Sequence, residues 1–167
     1  MGKKSIKENK NVYQISRENA GLTREKASEE MVYVSADRIE KIENERTAAH
    51  PDDIMAMAKC YKDPSLCNYY CSHECPIGQE YVPPLKPKDI TQITLEILSG
   101  LNTMESEKNR LIDITADSNI DESEIQDFIK IRKKLEQISV SVDSLRLWID
   151  REIASGNLDS SVLAKDE

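Results

Sequence analysis

The feature that most constrains this chain is a pair of long amphipathic runs between residues 89 and 155, each too long and too regular for a strand. In the first, Ile90, Ile93, Ile97, Met104, Leu111 and Ile114 recur largely at sevenfold spacing. In the second, Phe128, Ile131, Leu135, Ile138, Val142, Leu145 and Ile149 alternate steps of three and four, the pattern of a coiled-coil seam. Between them "ADSNI" supplies a turn, and Asp121 with Glu124 makes a capping-box start for the second run. The same loop lacks the glycine and the twelve-residue ligand spacing of a calcium loop. Two helices joined this closely fold back as an antiparallel hairpin. Such a hairpin has too little partner surface of its own, so a second copy of the chain is the expected partner, completing a four-helix bundle.

Upstream of the hairpin, "YVPPLKPKD" places three prolines within five residues, a stiff linker over 81–88. The chain therefore reads as a basic arm over 1–10, a small domain over 11–80, the linker, the hairpin over 89–155 and a tail over 156–167 that begins at the helix-ending Gly156. One Phe, one Trp and five Gly in 167 residues, beside abundant Glu, Lys and Ile, favour an all-α fold. No apolar run is long enough for a membrane span, and "MGKKSIKENK" lacks the apolar stretch of a signal peptide, so no membrane partner and a cytoplasmic location are expected.

A net charge of −8 opposes a general binder of nucleic acid or anionic membrane. The charge is unevenly spread: residues 1–50 carry ten Lys and Arg against nine Asp and Glu, whereas both later segments are negative. Any DNA contact must be local to that first third, where Lys3, Lys4, Lys7 and Lys10 form either a phosphate-tracking arm or a solvated tail.

Within that third, a short helix from Val12 to Ala20 ends at Gly21, and Thr23 is a natural N-cap for Arg24 to Met31. A turn at Val32 and Tyr33 leads to Ser35, which can cap a third helix reaching about Asn44. Ile15, Ala27, Met31, Val34, Ile39 and Ile42 supply a small core at helical spacings. "HPDDIMAMAKCYKD" starts a fourth helix at Pro51, with Ile54, Met57, Ala58 and Tyr61 on one face.

The run "YQISRENAGLTREKASEEMVYVSADRIEKIENERTAAHPDDIMAMAKCY" resembles the phage-repressor-like (XRE) helix-turn-helix domain, in which "GLT" opens the first helix of the pair and "IxxIENE" closes the second. The resemblance covers about residues 11 to 62, and its extension through "LCNYYCSHECPIGQEYVPPLK" looks like a subgroup of such regulators from Gram-positive anaerobes. It implies a lambda-repressor-like domain that binds double-stranded DNA, and the homodimer expected from the hairpin would present two such domains to two half-sites. By the same resemblance Arg24 falls where a phosphate contact is common and Ser28 where crossed helices need a small side chain. Ser35, Asp37, Arg38 and Lys41 fall on the first turns of the recognition helix. The family turn usually holds a glycine, whereas "MVYVS" has Val32 and Tyr33 and is one residue longer.

The recognition helix is unusually acidic, since "SADRIEKIENER" has four carboxylates against three basic groups. At about 100° per residue, Arg38 and Lys41 share one side of the apolar stripe, and Glu40 and Glu43 favour the other. Arg38 can donate twice to a guanine and Asp37 can accept from a cytosine, so direct readout is chemically available. The same charges also suit a salt-bridged surface helix.

All four cysteines lie within sixteen residues, at 60, 67, 71 and 75 of the segment 60–78. A helix through "SLCNYYCSHEC" would align Cys67, Cys71 and Cys75 on one face before Pro76 and Gly78 end it. Three readings stay open: packing thiols, a zinc or iron–sulfur site on Cys67, Cys71 and Cys75, or a regulatory disulfide. Paired C-x-x-C knuckles are missing. Enzymatic activity is not expected, because the chain has no glycine-rich phosphate loop, no nucleophile with a matching base, and only His50 and His73 for general acid–base work. The sequence thus points to a DNA-binding transcriptional regulator, with a protein-binding adaptor and a metal- or redox-sensing regulator as its rivals.

Overall fold

The computed structural model describes residues 9–117, 119–159 and 161, and within them the protein is all-α. The described helices are α1 (Val12–Asn19), α2 (Arg24–Met31), α3 (Ala36–Glu43), α4 (Pro51–Cys60), α5 (Ser65–His73), α6 (Pro76–Tyr81), α7 (Ile90–Thr115) and α8 (Ile125–Ala154). None of the described helices is long and apolar enough to cross a membrane. The chain divides into two compact units, one running to Pro84 and including the residues from Ile149 onward, the other being Leu85–Trp148.

In the first unit, local chemistry starts the helices. The side chains of Asn11, Thr23 and Ser35 each accept a backbone N–H two or three positions into α1, α2 and α3. The α4 start is a capping box in which the His50 N–H donates to Asp53 at 2.8 Å. Ala27, Ile39, Ile54, Met57 and Leu66 are fully enclosed in a core to which all five of the first helices contribute. The expectation that Ile15 belongs to that core is corrected: it is 45% exposed, and Tyr13, at 2%, takes its place. The inward face of α1 is set by Tyr13, Ser16 and Arg17, at i, i+3 and i+4, and Ile15 lies about 200° round from Tyr13.

The cysteine segment also departs from expectation. The α5 helix stops at His73, so Cys75 does not continue its face but N-caps α6, its sulfur accepting the Gly78 N–H at 3.4 Å. Pro76 opens α6 instead of closing α5, as suits a residue without a backbone donor at a helix start. Gly78 is buried, and a Cβ there would run into the Cys71 carbonyl, so only glycine lets α6 lie this close to the α5 backbone.

In the second unit, α7 and α8 form an antiparallel hairpin. Arg110 pairs with Asp127 at 2.8 Å, Glu107 with Lys134 at 2.5 Å, and Gly100 lies against Ile138, so partner numbers rise along α8 as they fall along α7. The cross-helix contact runs through Ile93, Ile114 and Ile131, all enclosed, with Ser141 buried beside them. The seam expected from Phe128 to Ile149 is therefore split. Ile131 faces inward, but Leu135 and Val142 are 44% and 43% exposed. The buried positions of α8 after Ile131 are Ser141, Ser144 and Leu147, all of which lie off the expected seam.

Candidate functional site

The helix expected to read DNA, α3, is built in three steps. Ser35 caps its start, Ile39 and Ile42 seat it in the core, and Asn11 Nδ2 donates to the Ile42 carbonyl at 3.0 Å near its end. Beneath it lies a charge cluster that sequence reasoning missed. Glu43 is fully enclosed and accepts from Arg17 through Nε at 2.6 Å and its terminal nitrogen at 2.9 Å, and from Arg24 Nε at 2.8 Å. A salt-bridged surface face is one reading the sequence allows for Glu43, and the structure buries it instead. It turns inward because it flanks Ile39 and Ile42 on the wheel and because two arginines from α1 and α2 receive it. Arg17 also donates to the Leu22 carbonyl at 2.7 Å, tying α1 to the loop before α2. Charge-assisted, forked hydrogen bonds of this kind fix orientation as well as charge.

Most of the charge on the expected contact residues is already engaged within the protein. Arg24, at the start of α2, is spent partly on Glu43. Arg38 donates to Thr47 Oγ1 and to the Ala48 carbonyl, both at 3.0 Å, and to Asp53 at 2.7 Å. It holds the α3–α4 loop. Burial raises the Asp53 carboxyl, but its hydrogen bonds from Arg38 and the His50 backbone outweigh that and leave it below the ordinary range. A depressed carboxyl stabilises the fold above its unfolded value, and that contribution is lost as pH falls through the folded one. Lys41 pairs with Asp37 at 2.6 Å, both well exposed, and Ser35 and Asp37 face solvent. Arg46 lies 3.8 Å from Glu40.

The turn between α2 and α3 is strained. Val32 has φ +64° and ψ −45°, and the Tyr33 N–H donates to the Met31 carbonyl at 2.7 Å, a γ-turn of the rarer hand. A β-branched residue is poorly suited to that region, and its side chain, 88% exposed, gains little packing there. Val32→Gly is expected to stabilise the first unit by roughly 1 kcal/mol, the relieved strain exceeding the extra entropy of a glycine in the unfolded chain. A urea midpoint that falls would contradict this.

Among the described residues, no three His, Cys, Asp or Glu side chains are arranged to hold a metal ion, and Cys67, Cys71 and Cys75 are not brought together as a ligand set. All four thiols are free and half-buried. Cys60 points from α4 to α2, 3.4 Å from a Glu30 carboxylate oxygen, and burial together with that acceptor pushes its thiol up to about 12. Burial also raises Cys67. These are the environments of unreactive packing thiols.

No protein-family model, curated protein or solved structure matches this chain.

Proposed function

We propose that the protein is a sequence-specific DNA-binding regulator that acts as a homodimer, with α3 as the reading helix. The observation that carries the reading is the α2–α3 unit. Two eight-residue helices, each capped by a hydroxyl, are joined by a short turn and clamped from beneath by Glu43, leaving Ser35, Asp37 and Lys41 on the open side. The resemblance of residues 11 to 62 to phage-repressor-like domains supports the same assignment. The Asp37–Lys41 pair is no obstacle. Exposed ion pairs are worth about 0–1 kcal/mol, so a phosphate can displace the carboxylate. Arg38 enters this reading as a positioning residue for the loop to α4.

Selection from a random DNA pool at low salt tests the proposal, and enrichment of a two-part, symmetric site is the expected result. Lys41→Ala should then weaken binding across sequences and reduce the slope of log affinity against log salt by about 1, whereas Asp37→Ala should relax the preference at one base pair. Failure to enrich any sequence would overturn the reading.

One observation favours a second reading, a helix-turn-helix used as a protein-binding adaptor. Every cation on α3 has a carboxylate partner, and Val32 and Tyr33 stand exposed on the turn beside it. A clean absence of DNA selection, with a folded and helical protein, would favour the adaptor.

A further inference from the structure

Between α7 and α8 the hairpin carries an open groove of about 800 Å³, within the range of about 300–1,000 Å³ usual for small-molecule sites. Its apolar lining is Leu95 of α7 with Ile138 and Val140 of α8. Leu95 is 63% exposed, so the groove leaves hydrocarbon facing water. At its middle Gly100 adds no side chain, and a Cβ built there would lie 2.6 Å from Ile138 Cγ1, so the Ile138 side chain forms the floor. The hydroxyls of Thr103 and Ser141 do not call for a polar guest. Each already donates to a carbonyl one turn back, of Ser99 at 2.8 Å and of Gln137 at 3.0 Å.

The charges of the lining are nearly all spent. Three lysines and two glutamates line the groove, in a chain whose net charge is −8. Lys88 pairs with Glu96 at 2.6 Å, Lys134 with Glu107 at 2.5 Å, and Glu136 with Arg132 at 3.4 Å. Lys133 is the lining charge that has no partner among the described residues, and the side-chain amide of Gln137, one turn further along α8, is uncommitted as well. Because the helices are antiparallel with Gly100 against Ile138, Lys133 lies toward the Thr103 end of the groove and Val140 toward the Leu95 end. About 12 Å of α7 separates those two ends.

We propose that this groove binds a medium-chain alkyl carboxylic acid, its carboxylate held by Lys133 and the Gln137 amide and its chain laid over Ile138 and Val140 toward Leu95. Such an acid answers both halves of the lining. Its chain covers the apolar surface that water otherwise meets, and its head group supplies the counter-charge that Lys133 lacks. A sugar or nucleotide would set many donors and acceptors against hydrocarbon and against hydroxyls already engaged, which costs free energy. An uncharged lipid would leave Lys133 unanswered. The site lies wholly within the second unit and does not depend on what α3 recognises.

Calorimetric titration of the full chain with sodium dodecanoate, kept below micelle formation, tests this. Saturable binding is expected, with dodecanol about fivefold weaker for want of the charge. Lys133→Ala should bring dodecanoate down to the level of dodecanol and leave dodecanol unchanged, and Lys133→Glu should reverse the preference in favour of dodecylammonium. Helicity should hold in both, since Lys133 is an exposed helix residue with no ion pair to lose. Lys130→Ala, which removes a lysine of α8 outside the lining, should bind dodecanoate as wild type does. Ser99→Trp should close the groove to all three probes. No saturable heat with dodecanoate would overturn the proposal, and so would a Lys133→Ala protein that still prefers dodecanoate to dodecanol. Binding that survives Ser99→Trp would put the alkyl chain on another apolar surface and overturn it equally.

Discussion

Replacing Glu43 by alanine is expected to destabilise the first unit by about 3–5 kcal/mol, the cost of leaving a buried charge without its partner. Arg17 is the reason. Its side chain is 8% exposed, and two of its hydrogen bonds end on Glu43. Without that carboxylate the guanidinium must either stay desolvated with one backbone acceptor, Leu22, or drag α1 toward water. Arg24 would lose its anchor as well, but it is 29% exposed and can be solvated, so Arg24→Ala should cost far less than Glu43→Ala. The two units offer separate probes. All six tyrosines lie between residues 13 and 81, and the single tryptophan is Trp148. Near-ultraviolet dichroism of tyrosine should therefore shift to lower urea in Glu43→Ala, while the Trp148 fluorescence transition stays where it was. Coincident shifts of both signals would mean that the units unfold together and that the cost is shared.

The same cluster marks where sequence reading stopped. Helix starts were legible because a cap is local: Thr23 and Ser35 each meet a backbone N–H three residues on, and the side-chain type is enough to say so. Asp121 and Glu124 were legible for the same reason, and their reciprocal bonds are present at 3.1 and 3.3 Å. Glu43 was not, because its partners lie 26 and 19 residues away and nothing in "IENER" distinguishes a carboxylate that faces water from one that faces two arginines. Arg38 likewise has a partner too remote in the sequence to be foreseen from it. Its position suits a groove contact, but a carboxylate at the start of the next helix, fifteen residues on, takes up its guanidinium.

In α8 the difficulty was phase. A three–four alternation reports that a helix has an apolar side, but Ile131 and Leu135 differ by only about 40° on the wheel. Whether a residue touches the neighbouring helix or lies beside it depends on the register with α7, which Gly100 and Ile138 set by close approach, at 2.6 Å for a Cβ built on the glycine. That register is a property of two helices and cannot be read from one.

Leu66→Ala is expected to cost about 2–5 kcal/mol, through lost burial and the cavity left behind. Leu66 is fully enclosed near the start of α5, where the chain has just turned back from α4 through Lys62, a non-glycine residue at φ +56°. Other links hold α5 to the core from its polar edge: Tyr13 donates to Glu74 at 2.7 Å, and Ser16 donates at 2.8 Å to Asp63 in the preceding loop. Those bonds orient the helix, whereas Leu66 supplies most of its enclosed apolar surface, since it is the one residue of α5 that is buried outright. Truncating it should loosen α5 before the four helices beneath it separate. The thiols give that order of events a readout. Burial is the main reason Cys67 resists ionisation, so a loosened α5 should let its thiol return toward the ordinary range and alkylate faster at pH 8. Cys60 sits on α4 against Glu30 and should keep its protection until the whole unit unfolds. Iodoacetamide labelling mapped by mass spectrometry would follow both residues in one sample. Faster labelling of Cys67 alone would establish α5 as the weakly held edge of the first unit, and equal acceleration at Cys60 would show that the five helices open as one.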